Sequence, residues 1–176
     1  MAESSHNSLR TRAGSVKYLS GESVFKAARR RRSSANPTSQ PCETDSMIIG
    51  LGTDIVEIER VREMVDRHGE NFLNRCFTSA EIAYADKHRD AAVRIAGRWA
   101  AKEAVVKVLG TGFVKGITFH DIEVLPLDSG QPRIELSGGA AEIAQGLGIE
   151  TVLITISHAK LYATATAIGV CGTQQL

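Results

Sequence analysis

The chain has 176 residues, 43% hydrophobic and 23% charged, with a formal net charge of +1, which suits one globular domain of ordinary size with room for a tail. No apolar run approaches the ~18 residues of a membrane-crossing helix, and the near-neutral balance excludes a global demand for nucleic acid or an anionic membrane. Three scattered cysteines, Cys42, Cys76 and Cys171, contain no C-x-x-C pair, which excludes a disulfide scaffold or zinc knuckle and suits a reducing cytoplasm.

Residues 1–46 hold eight Lys/Arg against four Asp/Glu, a balance of +4, and residues 47–176 hold the other thirteen against sixteen, a balance of −3. The first segment is rich in Ser, Thr, Asn and Arg and lacks a sustained period. It cannot bury enough apolar area to offset its ordering entropy, so it is expected to be a disordered basic extension. The run Arg29–Arg32 raises the possibility of a nucleic-acid arm, but no aromatic side chains interleave it. A solvated tail fits better, as does translated sequence upstream of a true start at Met47. No apolar core follows the arginines as a secretory signal requires, and Glu3 and Glu22 weigh against a transit peptide.

Met47–Val56 reads as a buried strand whose glycines admit other backbone. From Glu57 to Arg67 the spacing turns helical, with Ile58, Val61 and Val65 on one side, and His68-Gly69 is expected to stop that helix. Thr78 followed by Glu81 has the spacing of a capping box for a short helix to about Lys87. A long Ala-rich helix is predicted from about Ala91 to Leu109, ended by Gly110-Thr111-Gly112. Strands follow near Asp121–Pro126 and Arg133–Leu136 around a Ser129-Gly130 turn. A short helix over Gly138–Gly148 comes next. Two last strands, Thr151–Ser157 and Tyr162–Val170, form a hairpin around His158-Ala159-Lys160. The order β-α-α-α-β-β-α-β-β makes residues 47–176 an α+β domain.

The long helix carries Arg98, Lys102, Glu103 and Lys107. Glu103 and Lys107 share a face, and Arg98 and Lys102 share an adjoining one. Alone, this pattern reads as an exposed helix with ion pairs worth a few tenths of a kcal/mol each. The Ala and Val packed around the charges point instead to a covered surface. The amides of Gly110-Thr111-Gly112 offer an approach to a phosphate, although a glycine there is usually only a cap. Asp54, beside two glycines, reads as a turn residue or as a metal carboxylate. Magnesium typically takes one or two carboxylates plus water and phosphate oxygens, and Asp54 and Glu103 are candidates for those two, with Lys107 offsetting phosphate charge. His158 is either a structural turn residue or a phosphate donor and proton acceptor. Trp99 reads as core rather than as a stacking surface for ligand. His68, His88 and His120 show no metal-ligand spacing.

Five segments occur together and in order: Gly50-Leu51-Gly52-Thr53-Asp54 through Arg60, Phe77-Thr78-Ser79-Ala80-Glu81, Ala96-Gly97-Arg98-Trp99-Ala100-Ala101-Lys102-Glu103-Ala104 through Lys107, Gly110-Thr111-Gly112, and Ile156-Ser157-His158. The set resembles the holo-acyl-carrier-protein synthases of the 4′-phosphopantetheinyl transferase superfamily, over essentially residues 47–170. The Arg98–Ala104 stretch with Lys107 is its most specific part. The resemblance implies a mainly antiparallel sheet packed against a long helix. It implies a cytoplasmic, magnesium-dependent transferase of fatty acid biosynthesis, which moves 4′-phosphopantetheine from coenzyme A to a serine of apo-acyl carrier protein and releases adenosine 3′,5′-bisphosphate.

By motif position, the resemblance has Asp54 and Glu103 bind magnesium together with the pyrophosphate. Lys107 would stabilise the leaving phosphate, Arg98 and His158 would contact coenzyme A phosphates, and Gly110 would lie close to the cofactor. The serine base stays open between Glu103, His158 and a water. Arg60 and Arg67 match the basic pattern that meets the acidic carrier, while Glu70 stands where another basic residue is common. Ser129-Gly130-Gln131-Pro132 departs at two positions from the family's Asn-Gly-Lys-Pro. The family is usually a trimer with sites between subunits. The competing expectations are an inactive homologue that only binds carrier, and a nucleic-acid binder acting through the basic arm.

Overall fold

A strand that opens the described chain is paired by the strand that closes it. In the computed structural model, which describes residues 47–114 and 116–171, β1 (Met47–Glu57) runs antiparallel to β5 (Tyr162–Cys171). β5 pairs on its other side with β4 (Thr151–His158), giving a three-stranded antiparallel sheet of order β1-β5-β4. β2 (Ile122–Pro126) and β3 (Pro132–Leu136) form a separate antiparallel ribbon. The helices are α1 (Ile58–Cys76), α2 (Ser79–Asp86), α3 (Ala91–Leu109) and α4 (Gly138–Leu147), with a 3₁₀ turn at Phe119–Asp121. Element order and α+β class match the sequence reading. The extension expected over residues 1–46 lies outside the described residues.

α3 packs across the three-stranded sheet because both partners present small side chains. Ala100, Ala101 and Ala104 on the helix and Ala163, Ala165 and Ala167 on β5 are all buried. On β1 the approach is closer still. A Cβ added at Gly50 would lie 2.7 Å from the Val108 carbonyl oxygen, and one at Gly52 would overlap the Ala104 carbonyl oxygen and reach 2.9 Å from the Lys107 Cβ. Backbone cannot give way as a flexible side chain can. Gly52→Ala is therefore expected to lower stability by about 3 kcal/mol or more. Gly146→Ala, inside α4 with nothing within 4 Å of the added methyl, should raise it by roughly 0.5–1 kcal/mol through helix propensity and a stiffer unfolded chain. Urea midpoints of the two variants check both signs.

Two elements depart from expectation. β1, read as a buried strand, is covered only on its α3 side, and Met47, Ile48, Leu51 and Ile55 are exposed in the single chain. The other is the first helix. Gly69 does not end α1. It takes φ 54° and ψ −135°, a conformation open to glycine, and kinks the helix, which then runs on to Cys76. The chain resumes its helix because Phe72 and Cys76 have apolar surface to bury, and both are more than nine-tenths buried in the core. α2 begins as its capping box predicts: the Glu81 amide donates to the Thr78 hydroxyl at 3.3 Å, and the Thr78 amide to the Glu81 carboxylate at 2.9 Å. Glu81 is itself fully buried, accepts from the Val124 amide at 3.0 Å and pairs with Lys102 Nζ at 2.8 Å. Lys102 also donates to the Phe119 carbonyl at 2.8 Å. One ion pair thereby joins α2, α3, the 3₁₀ turn and β2.

Candidate active site

Alternation along β1 puts Asp54 on the same strand face as Gly50 and Gly52, so its carboxylate points toward α3. The Asp54 carbonyl accepts from the Thr164 hydroxyl at 2.7 Å, which ties this part of the strand to β5. On α3, Glu103 and Lys107 stand one turn apart. Lys107 Nζ donates to Asp54 Oδ1 at 2.9 Å and to the Thr53 carbonyl at 2.6 Å. Gly110 caps the helix in the left-handed conformation, its amide donating to the Lys107 carbonyl at 3.1 Å. The turn that carries Lys107 is thus fixed at both ends.

Asp54 and Glu103 line one cavity of about 430 Å³, with Arg60, Met64 and Trp99 among its walls. Burial pushes the Glu103 carboxyl up, the neighbouring Asp54 carboxylate pushes it further, and Lys107 opposes both. The sequence reading required two acids from distant parts of the chain to meet beside an ammonium, and the fold brings them together. Among the described residues no group of three or more His, Cys, Asp or Glu side chains is gathered for a metal. A cation here would take its remaining oxygens from water and from a ligand. That donor set fits magnesium and does not fit a closed zinc site. A half-buried Glu103 whose proton affinity is raised by burial and by a neighbouring carboxylate is also the kind of surrounding a divalent cation relieves.

Arg98 and His158 line a second cavity, of about 130 Å³, which shares no lining residue with the first. Arg98 is 5% exposed. Its guanidinium carbon lies 3.9 Å from the centre of the Tyr84 ring, Nη1 donates to the Arg94 carbonyl at 3.4 Å, and Nε is buried with no partner. Burial draws the Arg98 pKa down from its ordinary value, and Tyr84 and Glu81 act against that. His158 ends β4 and is exposed. In this chain it sits with Arg98 and apart from Asp54, Glu103 and Lys107. Arg60 and Arg67 are both exposed on α1, but only Arg60 borders the first cavity.

Two members of the second cavity escaped the sequence reading. Arg94 lies four residues before Arg98 and so shares its helix face, a signal that was available. Tyr84 arrives from α2 by tertiary packing, and no local pattern marks it. Trp99, read as core, does pack on Phe72, Phe77 and Phe119, and it also borders the first cavity.

Residues 50–167 match the family model described as the 4′-phosphopantetheinyl transferase superfamily. Over 122 residues the chain is 44% identical to a holo-[acyl-carrier-protein] synthase of Koribacter versatilis, covering 69% of this chain and 98% of that protein. It is 47% identical over 122 residues to the synthase of Vibrio cholerae, covering 69% and 97%. The crystal structure of the Helicobacter pylori holo-[acyl-carrier-protein] synthase in complex with coenzyme A is similar with a TM-score of 0.61 at 33% identity, covering 68% of this chain and 98% of that one. Spanning such synthases almost end to end, with the same architecture, the chain belongs to the 4′-phosphopantetheinyl transferase superfamily and, within it, to the holo-[acyl-carrier-protein] synthases.

Proposed function

We propose that this chain transfers 4′-phosphopantetheine from coenzyme A to a serine of apo-acyl carrier protein, releasing adenosine 3′,5′-bisphosphate, with Asp54 and Glu103 holding magnesium at the reacting pyrophosphate. The observation that carries this reading is the meeting of Asp54 and Glu103 at one cavity, with Lys107 paired to Asp54. Bound there, magnesium supplies electrostatic stabilisation of charge on the transferred group and the leaving oxygen. Lys107, held by Asp54 and the Thr53 carbonyl, adds a fixed ammonium for the leaving phosphate. The acceptor of the serine proton is Glu103, a water beside it, or His158 brought in from a neighbouring subunit. Arg98 and His158 then serve the coenzyme A phosphates, and Gly110 lies beside the bound cofactor.

The test is direct. The full chain is incubated with coenzyme A, magnesium and a panel of apo-carrier proteins, and each carrier is weighed. A cognate carrier should gain the mass of the phosphopantetheine arm. If no carrier in a broad panel does, the reading is wrong. We place catalysis in residues 47–176, so a chain lacking residues 1–46 should keep this activity; a nucleic-acid arm would make that segment indispensable.

Carrier docking falls to exposed Arg60 and Arg67 on α1. Local field rather than net charge steers such encounters. Arg67→Glu is expected to raise KM for the carrier about tenfold at low salt, with a smaller effect at high salt as screening shortens the range. A KM that does not change at any ionic strength would move docking to another surface.

A homotrimer with sites completed between subunits is the proposed assembly. It is supported by the sheet face turned away from α3, where Leu51 and Ile55 are each 65% exposed in the single chain. Sedimentation of the purified protein measures it. Among the described residues no helix is long and apolar enough to cross a membrane. The buried free thiol of Cys76 suits the cytoplasm, the compartment we assign.

A further inference from the structure

Burying a guanidinium is costly unless its donors are matched. Arg98 has no carboxylate within ion-pair distance among the described residues, since Glu81 is committed to Lys102. Its matched surroundings are the Arg94 carbonyl on one side and the face of Tyr84 beneath the guanidinium. The ring is itself held in place. It lies 4.6 Å from the His88 ring, and α2, which carries it, is locked to α3 by the Glu81–Lys102 pair. The cavity beside Arg98 has no carboxylate among its lining residues, and Arg94 and His158 complete its polar wall. A buried arginine with an orphaned Nε, in a basic pocket, is built to receive a phosphate.

We propose that Tyr84 is a positioning residue for coenzyme A: its ring fixes the plane of the Arg98 guanidinium and so orients the fork that binds a phosphate of the substrate. This rests on the assignment of the second cavity to coenzyme A. An arginine has many rotamers, and stacking on an aromatic face pre-organises the fork so that less freedom is lost on binding. The ring face, 3.9 Å from the guanidinium carbon, supplies the stacking that fixes this plane. Because the reacting groups line the other cavity, Tyr84 acts on affinity and leaves the chemical step alone.

The experiment uses the full chain, with adenosine 3′,5′-bisphosphate as the calorimetric probe and steady-state transfer as the second readout. Tyr84→Leu should weaken binding of the bisphosphate about tenfold and raise KM for coenzyme A to the same degree. kcat should stay within about twofold, and Tyr84→Phe should restore wild-type affinity. Tyr84→Met serves the same purpose if the leucine variant does not fold, as monitored by thermal melting. Wild-type affinity in the Leu or Met variant overturns the proposal. So does a Phe variant as weak as Leu, or a fall in kcat with KM unchanged. Arg98→Gln is the control for the cavity itself. If it binds the bisphosphate as tightly as wild type, the assignment of the cavity has failed and the role of Tyr84 falls with it. If Arg98→Gln loses binding and Tyr84→Leu does not, the role of Tyr84 alone has failed.

Discussion

Glu103→Gln should reduce phosphopantetheine transfer by roughly a thousandfold or more, since in the proposed site it removes one of the two carboxylates assigned to the metal at the pyrophosphate. The same change should leave the metal-free fold at neutral pH no less stable than wild type. The sign follows from the carboxyl's surroundings. Burial first and Asp54 second raise its pKa in the folded chain, so the folded state holds that proton more tightly than the unfolded state does. This contribution is fully present below the ordinary carboxylate range and is lost as pH rises through the raised folded value. Glutamine carries no charge to repel Asp54 and escapes the loss. Melting curves without metal should therefore show variant and wild type diverging in the variant's favour from acid to neutral pH. Added magnesium should raise the melting temperature of wild type and barely move that of the variant. Turnover close to wild type, or an undiminished magnesium shift, would remove Glu103 from the metal site.

Lys102→Ala should cost about 3–5 kcal/mol of stability, among the largest effects available to one substitution in this chain. The lysine and Glu81 are both fully buried, with their charged ends 2.8 Å apart. Removing the ammonium leaves the carboxylate without its counter-charge, fixed in place by the Thr78 and Val124 amides. The loss is mainly that of an uncompensated charge rather than of a favourable contact. The double variant Glu81→Gln with Lys102→Met should accordingly recover more than half of it. Chemical denaturation of the single and double variants decides the matter. A single variant within about 1 kcal/mol of wild type would show that the pair is not carrying the junction of α2, α3 and β2.

Much of this architecture is written in local signals. α3 spans Ala91–Leu109 because nothing within it breaks a helix and Gly110 ends it. α2 starts where Thr78 and Glu81 reach for each other's amides. The final hairpin follows from two apolar runs around a short polar link. What escaped is what only tertiary packing decides. A glycine after a histidine looks like a stop, but Phe72 and Cys76 need the core, and α1 continues past Gly69. Spacing on α3 reads most simply as an exposed charged helix, whereas Arg98 and Lys102 are buried. Helical spacing reports which residues share a face; it does not report what covers that face. The meeting of Asp54 with Glu103 was likewise out of reach of periodicity. Motif resemblance pointed to it, and the register of β1 under α3 shows how it arises.

That register makes one strand face serve two masters. The bare positions at 50 and 52 let α3 settle onto β1, and the next residue on the same side is Asp54, one of the two acids of the proposed site. Any added bulk that lifts the helix also widens the gap between the two carboxyl groups. Substitutions along this seam should silence turnover before they blunt the sharpness of melting, so catalytic output becomes a finer gauge of sub-ångström drift there than calorimetry.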